Sequence, residues 1–242
     1  MPPRPGLRPM RLLRASLVAV AATRLARAAR AEPPLGAHGR HPTRDVTVVV
    51  PARDEAERIG PCVSSLVAEG ADVLVVDDGS TDGTRAVAES VGARVVDAGP
   101  LPDGWAGKAH ALAVGLRAAT TPAIVFVDAD TRAHPGFLAA AVGALGGDTA
   151  VSVAARVDAR DVGERWLHPS MLTTLVYRLG PPGAAAGRPE RTMANGQCMV
   201  VDRERLLAAG GFESVRSALL EDLALARHLA ATGHGVRFVD GT

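Results

Sequence analysis

Aromatic side chains are scarce: one Tyr, two Trp and four Phe make up 3% of 242 residues. A chain so poor in rings has little on which to stack bases, and a formal charge of +1 gives no basic footprint for a phosphate backbone. Nucleic acid is therefore not an expected partner. Cysteine is scarcer still. Cys62 and Cys198 lie far apart with no CxxC spacing, which argues for two reduced packing residues rather than a disulfide or a metal site. Long apolar runs are missing too: the stretch from Ala15 to Thr23 is flanked by arginines and falls well short of the about 20 residues a membrane-spanning helix needs. No GxxxxGK(S/T) occurs, against a P-loop ATPase, and no GxGxxG follows the first expected strand, against a nicotinamide dehydrogenase.

What is present describes an ordinary globular chain, 47% hydrophobic and 22% charged, long enough for one α/β domain and an arm. The charge is uneven. Residues 1–44 hold nine arginines against the single acid Glu32, so the remainder carries −7 of the overall +1. An acidic body that handles a polyanion needs a metal ion or local cations to offset repulsion. The arm only loosely imitates a secretory signal, because Arg24, Arg27 and Arg30 stand where such signals avoid charge. A basic amphipathic helix lying on an anionic membrane surface is the functional reading, and a disordered Ala/Arg arm the plain one. GluProProLeuGly at 32–36 ends whatever precedes it.

From residue 45 the pattern becomes regular. ValThrValValVal at 46–50 reads as a buried strand closed by Pro51, and 55–69 as a helix with Ile59, Val63, Leu66 and Val67 along one stripe. Strands follow at 73–76, 94–96 and 123–127, with helices at 85–91 and 108–119 between them. This alternation argues a mostly parallel sheet covered by helices on both faces. Further on, the sequence suggests a strand over 150–157, a helix over 162–179 interrupted by Pro169, and a loop from ProProGly at 181–183 to about 191. A strand at 198–201 and a helix over 219–232, with Leu219, Leu223, Ala226 and Leu229 or Ala230 on one face, complete the pattern.

The acids cluster where a ligand would bind. ValLeuValVal at 73–76 ends in Asp77 and Asp78, and IleValPheVal at 124–127 ends in Asp128 and Asp130; in open α/β sheets the crevice beyond the carboxyl ends of the strands is the binding place. The plain alternative for the first pair is a capped strand-to-helix turn. Crowded carboxylates must protonate, separate or share a cation, and oxygen ligands favour Mg²⁺ or Mn²⁺, which commonly bind one or two carboxylates plus substrate phosphates. If 128–130 stays extended, Asp128 and Asp130 point to one face. Lys108, at the start of an expected helix, could hold phosphate. Glu221 and Asp222 open the last helix, where acids also simply favour a helix N-terminus.

Five segments in order, ValValValProAlaArgAspGlu (48–55), ValValAspAspGlySerThrAspGlyThr (75–84), GlyTrpAlaGlyLysAlaHisAlaLeu (104–112), PheValAspAlaAsp (126–130) and LeuGluAspLeuAlaLeuAla (220–226), resemble the family 2 glycosyltransferases over about residues 45–240. The resemblance implies a single catalytic domain of GT-A fold over 45–242 and inverting transfer of a sugar from a nucleotide-diphosphate sugar. It places Pro51, Arg53, Glu55 and Asp78 at the nucleobase and ribose, Lys108 near the phosphates, Asp128 on the ribose side and Asp130 on the metal. AsnGlyGlnCys at 195–198 matches the segment facing the acceptor, and Asp222 the catalytic base. Trp105, Asn195, Gly196, Gln197 and Glu221 lie in segments that look most like the branch acting on lipid acceptors, including carotenoid and hopanoid-associated members, whose acceptor hydroxyl or carboxyl receives the sugar. Those relatives usually carry membrane helices. This chain has no clear span and no GlnXXArgTrp-like motif after Asp222, so the expectation is a truncated fragment or a non-processive enzyme attached peripherally to the cytoplasmic side of the membrane. Two alternatives stand beside this reading: a catalytically inactive nucleotide-sugar binder or regulatory subunit, and a receiver-type phosphoacceptor module.

Overall fold

The computed structural model describes residues 45–156, 180–183 and 187–241, with 16, 18–20, 22–23, 34–37, 42–43 and 162 as short additions. The arm over 1–44, apart from those additions, and the helix expected over 162–179, apart from Val162, lie outside the described residues.

One seven-stranded sheet organises the domain, in the order β3-β2-β1-β4-β6-β5-β7. The strands are β1 (Val46–Ala52), β2 (Asp72–Asp77), β3 (Arg94–Asp97), β4 (Ala123–Val127), β5 (Ala150–Ala154), β6 (Cys198–Asp202) and β7 (Val236–Asp240). All pairings are parallel except those of β6, which runs against both β4 and β5. The helices are α1 (Ala56–Ala68), α2 (Thr84–Ser90), α3 (Gly107–Ala118), α4 (Phe137–Leu145), α5 (Arg203–Ala208) and α6 (Glu221–Ala231).

The continuous apolar strands follow from burial on both faces. Val48 and Val50 of β1, Val73 and Val75 of β2, and Val125 and Val127 of β4 pack with Ile59, Cys62, Val63 and Leu66 of α1 and with Leu138 and Ala141 of α4. The alternate residues Val49, Leu74, Val76, Ile124 and Phe126 meet Leu112 and Leu116 of α3, Leu206 of α5 and Leu225, Ala226 and Leu229 of α6. Period-2 alternation thus feeds two cores at once. Leu35, which the sequence assigned to the arm, is only 3% exposed within the first core. No helix among the described residues is long and apolar enough to cross a membrane.

Several local expectations are corrected. Pro51 does not close β1: it pairs with Val76, and the strand runs on to Ala52. This is tolerated because the pairing of β1 with β4 ends at Val49, so no ladder bond is demanded of the missing N–H on that side. Val67 lies off the buried stripe of α1, at 36% exposed. The last helix begins at Glu221, and its buried residues are Glu221, Leu225, Ala226 and Leu229, while Leu219 precedes it and is exposed. Helix α4 has no counterpart in the pattern read from the sequence. Its N-terminus is capped from a distance by the Glu69 carboxylate, which accepts hydrogen bonds from Gly136 N at 2.8 Å and Leu138 N at 3.3 Å.

Candidate active site

Strands β2, β1 and β4 are adjacent and parallel, so their carboxyl ends share one edge of the sheet. A cleft of about 370 Å³ opens there, lined by Pro51, Arg53, Glu55, Asp78, Lys108, Asp128 and Asp130, together with the small residues Ala52, Ala111 and Ala129. All seven donor-side residues singled out in the sequence line this one cleft.

The two aspartates ending β2 divide the work. Asp77 is buried; it accepts a hydrogen bond from Ser80 N at 2.9 Å and stands 3.5 Å from Arg85 Nε, which is the capping role. Asp78 faces the cleft, 3.7 Å from the exposed guanidinium of Arg53. The loops carrying them are stitched together by residues the motifs did not single out. Asp54 takes a left-handed backbone with φ 54°, a conformation Asp tolerates better than most residues. Its carboxylate accepts from Thr81 N at 2.8 Å and Thr81 Oγ1 at 3.2 Å, and its own N–H donates to Ser80 Oγ at 3.0 Å. Asp82 accepts from Thr84 N at 2.9 Å and from Ala56 N, at the start of α1, at 3.1 Å; bonds from Thr84 hold its carboxyl below the usual range. Glu55 N donates to Thr84 Oγ1 at 2.8 Å. A polar residue allowing positive φ beside a SerThrAsp turn was the sequence signal for this seam.

On the β4 side, Asp128 and Asp130 do not continue an extended strand. The chain turns immediately after Val127, with Thr131 N donating to Asp128 O at 3.0 Å, so the expected one-face spacing is replaced by a tight turn that exposes Asp130 and half-buries Asp128. Behind this turn the Cys62 thiol donates to Asp128 O at 3.6 Å. Burial, reinforced by the Asp130 and Asp128 charges, pushes that thiol up to about 12. Both cysteines are free and buried, as their spacing implied.

Lys108 stands in the second turn-forming position of α3, with Nζ 2.7 Å from Asp128 Oδ1 and 3.1 Å from Glu221 Oε1. Burial alone would lower its pKa; the Asp128 and Glu221 carboxylates outweigh it and raise the value. Asp128 is raised chiefly by burial, which outweighs Lys108, with Asp130 and Glu221 adding repulsion. Glu221, expected toward the acceptor, is instead buried against Lys108. Asp222 accepts from its neighbour's N–H, Leu223 N, at 2.7 Å through Oδ1. Its Oδ2 lies 3.3 Å from where a β-carbon on Gly196 would stand, and Lys108 Nζ lies 3.2 Å from the same point.

Gly196 is brought there by the reversed strand. Because Cys198 pairs with Val127, the residues leading into β6 arrive at the end of β4, where Asp128 N donates to Gln197 O at 3.2 Å. Asn195 Nδ2 donates to Gln197 Oε1 at 2.9 Å and Gln197 N to Asn195 Oδ1 at 3.0 Å, and the buried Ser152 hydroxyl fixes the segment by accepting from Asn195 N at 2.7 Å. Trp105 is half-buried at the second core, its ring edge-on to His110 with centroids 5.6 Å apart; it does not line the cleft.

The donor set bears on whether a divalent cation fits. Among the described residues no three His, Cys, Asp or Glu gather into a cage for one. Asp130 nonetheless presents an exposed carboxylate to the cleft beside Asp128, and the two repel. A hard cation that takes one or two carboxylates and completes its shell with ligand phosphates and water fits this arrangement.

The architecture has solved counterparts. The mannosyltransferase PcManGT of Pyrobaculum calidifontis, in complex with GDP-Man and Mn²⁺, superposes with a TM-score of 0.61 over 93% of this chain and 66% of that one at 24% identity, a likeness of fold. Glucosyl-3-phosphoglycerate synthase of Mycobacterium tuberculosis, in complex with Mg²⁺ and UDP, gives 0.54 over 85% of this chain and 70% of that one at 26% identity. The fold is of the GT-A type. The family model of glycosyl transferase family 2 matches residues 47–207, and the chain belongs to that family. Among curated relatives, 4,4'-diaponeurosporenoate glycosyltransferase of Staphylococcus aureus (strain bovine RF122 / ET3-1) is 47% identical over 90 residues, which is 36% of this chain. The corresponding protein of strain MRSA252 is 48% identical over 88 residues. The match spans 24% of the length of either relative. Membership of this family displaces the receiver-module alternative.

Proposed function

We propose that the chain catalyses inverting, metal-dependent transfer of a sugar from a nucleotide-diphosphate sugar to a hydroxyl or carboxyl group of a lipid or isoprenoid acceptor. One observation carries the reading: the donor-cleft cation Lys108 and the helix-borne carboxylate of Asp222 converge on Gly196, their Nζ and Oδ2 lying 3.2 Å and 3.3 Å from where its β-carbon would stand. Bond exchange between two substrates needs a phosphate-binding cation and a proton-accepting carboxylate brought this close together.

In this reading Pro51, Arg53, Glu55 and Asp78 hold the base and ribose, with Asp128 on the ribose side. Lys108 meets the diphosphate as a point charge. Asp130, with Asp128 beside it, would hold Mg²⁺ or Mn²⁺, which offsets charge on the departing diphosphate as a Lewis acid. A hydroxyl acceptor entering from the side of Trp105 and the 195–197 segment gives its proton to Asp222, which must come within about 3 Å of it. A carboxyl acceptor arrives ionised and needs placement rather than deprotonation. The lipid character of the acceptor is supported by the names of the Staphylococcus aureus relatives. Peripheral attachment to the cytoplasmic face of the membrane through the basic residues of 1–44 belongs to the same proposal.

Two variants test it on the full chain. Asp130→Asn should lose Mn²⁺-dependent binding of the donor nucleotide in a thermal-shift screen, because a ligand held only by the folded state raises stability. Asp222→Asn should keep that binding and lose turnover. Unchanged metal dependence in the first, or wild-type turnover in the second, refutes the role concerned.

A further inference from the structure

Glu221 has no task in that chemistry, yet it is 5% exposed, the first residue of α6 and next to the proposed base. A carboxylate taken out of water is costly unless a cation meets it. Here the cation is Lys108, at 3.1 Å, which also holds Asp128 at 2.7 Å. An ammonium has three N–H donors. Two are committed, to acids fixed by different elements: Asp128 by the turn after β4, Glu221 by the first turn of α6. The direction of the third follows from the other two. The lysine side chain is 39% exposed and lines the cleft, so that donor remains available to a ligand there.

Resting on the donor reading above, we propose that Glu221 is a positioning residue that acts through Lys108, aiming the remaining N–H at the diphosphate of a bound nucleotide. Because Asp222 is the next residue of the same helix, the Glu221–Lys108 contact also ties the donor cleft to the segment that carries the base. Without Glu221 the ammonium keeps Asp128 alone and can swing about that single contact. The charge remains, and its aim is lost.

The test is a double-mutant cycle on the full chain with Glu221→Gln, Lys108→Met and the two together. UDP, GDP, ADP and dTDP are titrated by calorimetry in the presence of MnCl₂, and each variant is melted without ligand. For whichever nucleotide the wild type binds, Glu221→Gln should weaken affinity about tenfold, the scale of a hydrogen bond to a charged group. The double variant should bind no more weakly than Lys108→Met alone, since a residue acting only through Lys108 has nothing left to act on. A purely structural Glu221 would give additive losses instead. The melts read the pair without any ligand: Lys108→Met leaves Glu221 buried and uncompensated and should melt below wild type, and adding Glu221→Gln should recover part of that loss. Wild-type affinity in Glu221→Gln, additive losses in the double variant, or a double variant melting no higher than Lys108→Met overturns this inference alone. A wild-type chain that binds none of the four nucleotides overturns the donor reading and this inference with it.

Discussion

The carboxylate of Asp78 leans over the first residue of α3: a β-carbon on Gly107 would stand 2.8 Å from Asp78 Oδ2. Glycine at this position lets an acid from the end of β2 settle against the positive end of a helix while still facing the cleft.

Gly107→Ala should therefore separate binding from folding. The group displaced is the far end of a flexible side chain, so the fold adjusts cheaply, and alanine favours the helix. The melting temperature should stay at or slightly above that of wild type while affinity for the donor nucleotide falls, as calorimetry would show. Equal affinity in the variant would mean that the position of Asp78 does not matter to the ligand.

Gly196→Ala probes the opposite side. A methyl there comes within 3.2 Å of Lys108 Nζ and 3.3 Å of Asp222 Oδ2, tighter than ordinary contact. Turnover should fall at least about tenfold, the scale on which small misplacements of reacting groups act, and by more than donor affinity, because the methyl presses on Asp222 as well as on Lys108. Steady-state kinetics alongside nucleotide titration distinguishes this from a general loss of binding.

Asp54 should behave as a hinge pin for the nucleotide loops. Alanine removes the bonds from Thr81 and adopts the left-handed backbone poorly, so Asp54→Ala should lose about 1–2 kcal/mol in urea melts and bind nucleotide more weakly. Asparagine keeps both the acceptor and the tolerance for φ 54°, and Asp54→Asn should remain near wild type in both measurements. If alanine and asparagine behave alike, the Thr81 contact is incidental.

Away from the site, Asp72 and Arg94 pair across β2 and β3 at 2.9 Å. Hydrogen bonds from Arg94 hold the Asp72 carboxyl below the usual range, against a partial burial that pushes it up. A depressed carboxyl stabilises the fold when ionised, so its contribution is whole above the ordinary Asp value of about 4 and fades as pH falls through the lower folded value. Both side chains are well exposed, which limits the pair to about 0–1 kcal/mol. Asp72→Asn should show that small deficit in urea melts at pH 7 and a narrower one at pH 3. A deficit that widens on acidification contradicts the assignment.

The parallel half of the sheet was legible because its strands are buried on both faces and hence continuously apolar, and because acids ending such strands have few reasons to be there except a ligand. What escaped depends on partners distant in the chain. Helix α4 is capped by Glu69, well removed in sequence, so no local start signal precedes Phe137. Glu221 reads as an ordinary acid in a first helical turn until Lys108 is seen beside it. The turn at Asp128–Asp130 is anchored at its start by Asp128 N donating to Gln197 O, a partner far along the chain. Nor does CysMetValVal at 198–201 announce its direction, since an apolar strand covered on both faces reads the same either way.

That direction has a consequence for how the proposed specificity could change. A strand aligned with its neighbours would have sent residues 195–197 to the far end of the sheet; running backwards, β6 delivers its leading segment instead of its trailing one. In the proposed function the nucleotide is recognised by loops that leave β1, β2 and β4, whereas the acceptor is met by a loop that enters β6. The two vocabularies occupy separate stretches of the gene, so one can be rewritten, by drift or by grafting, while the other stays intact.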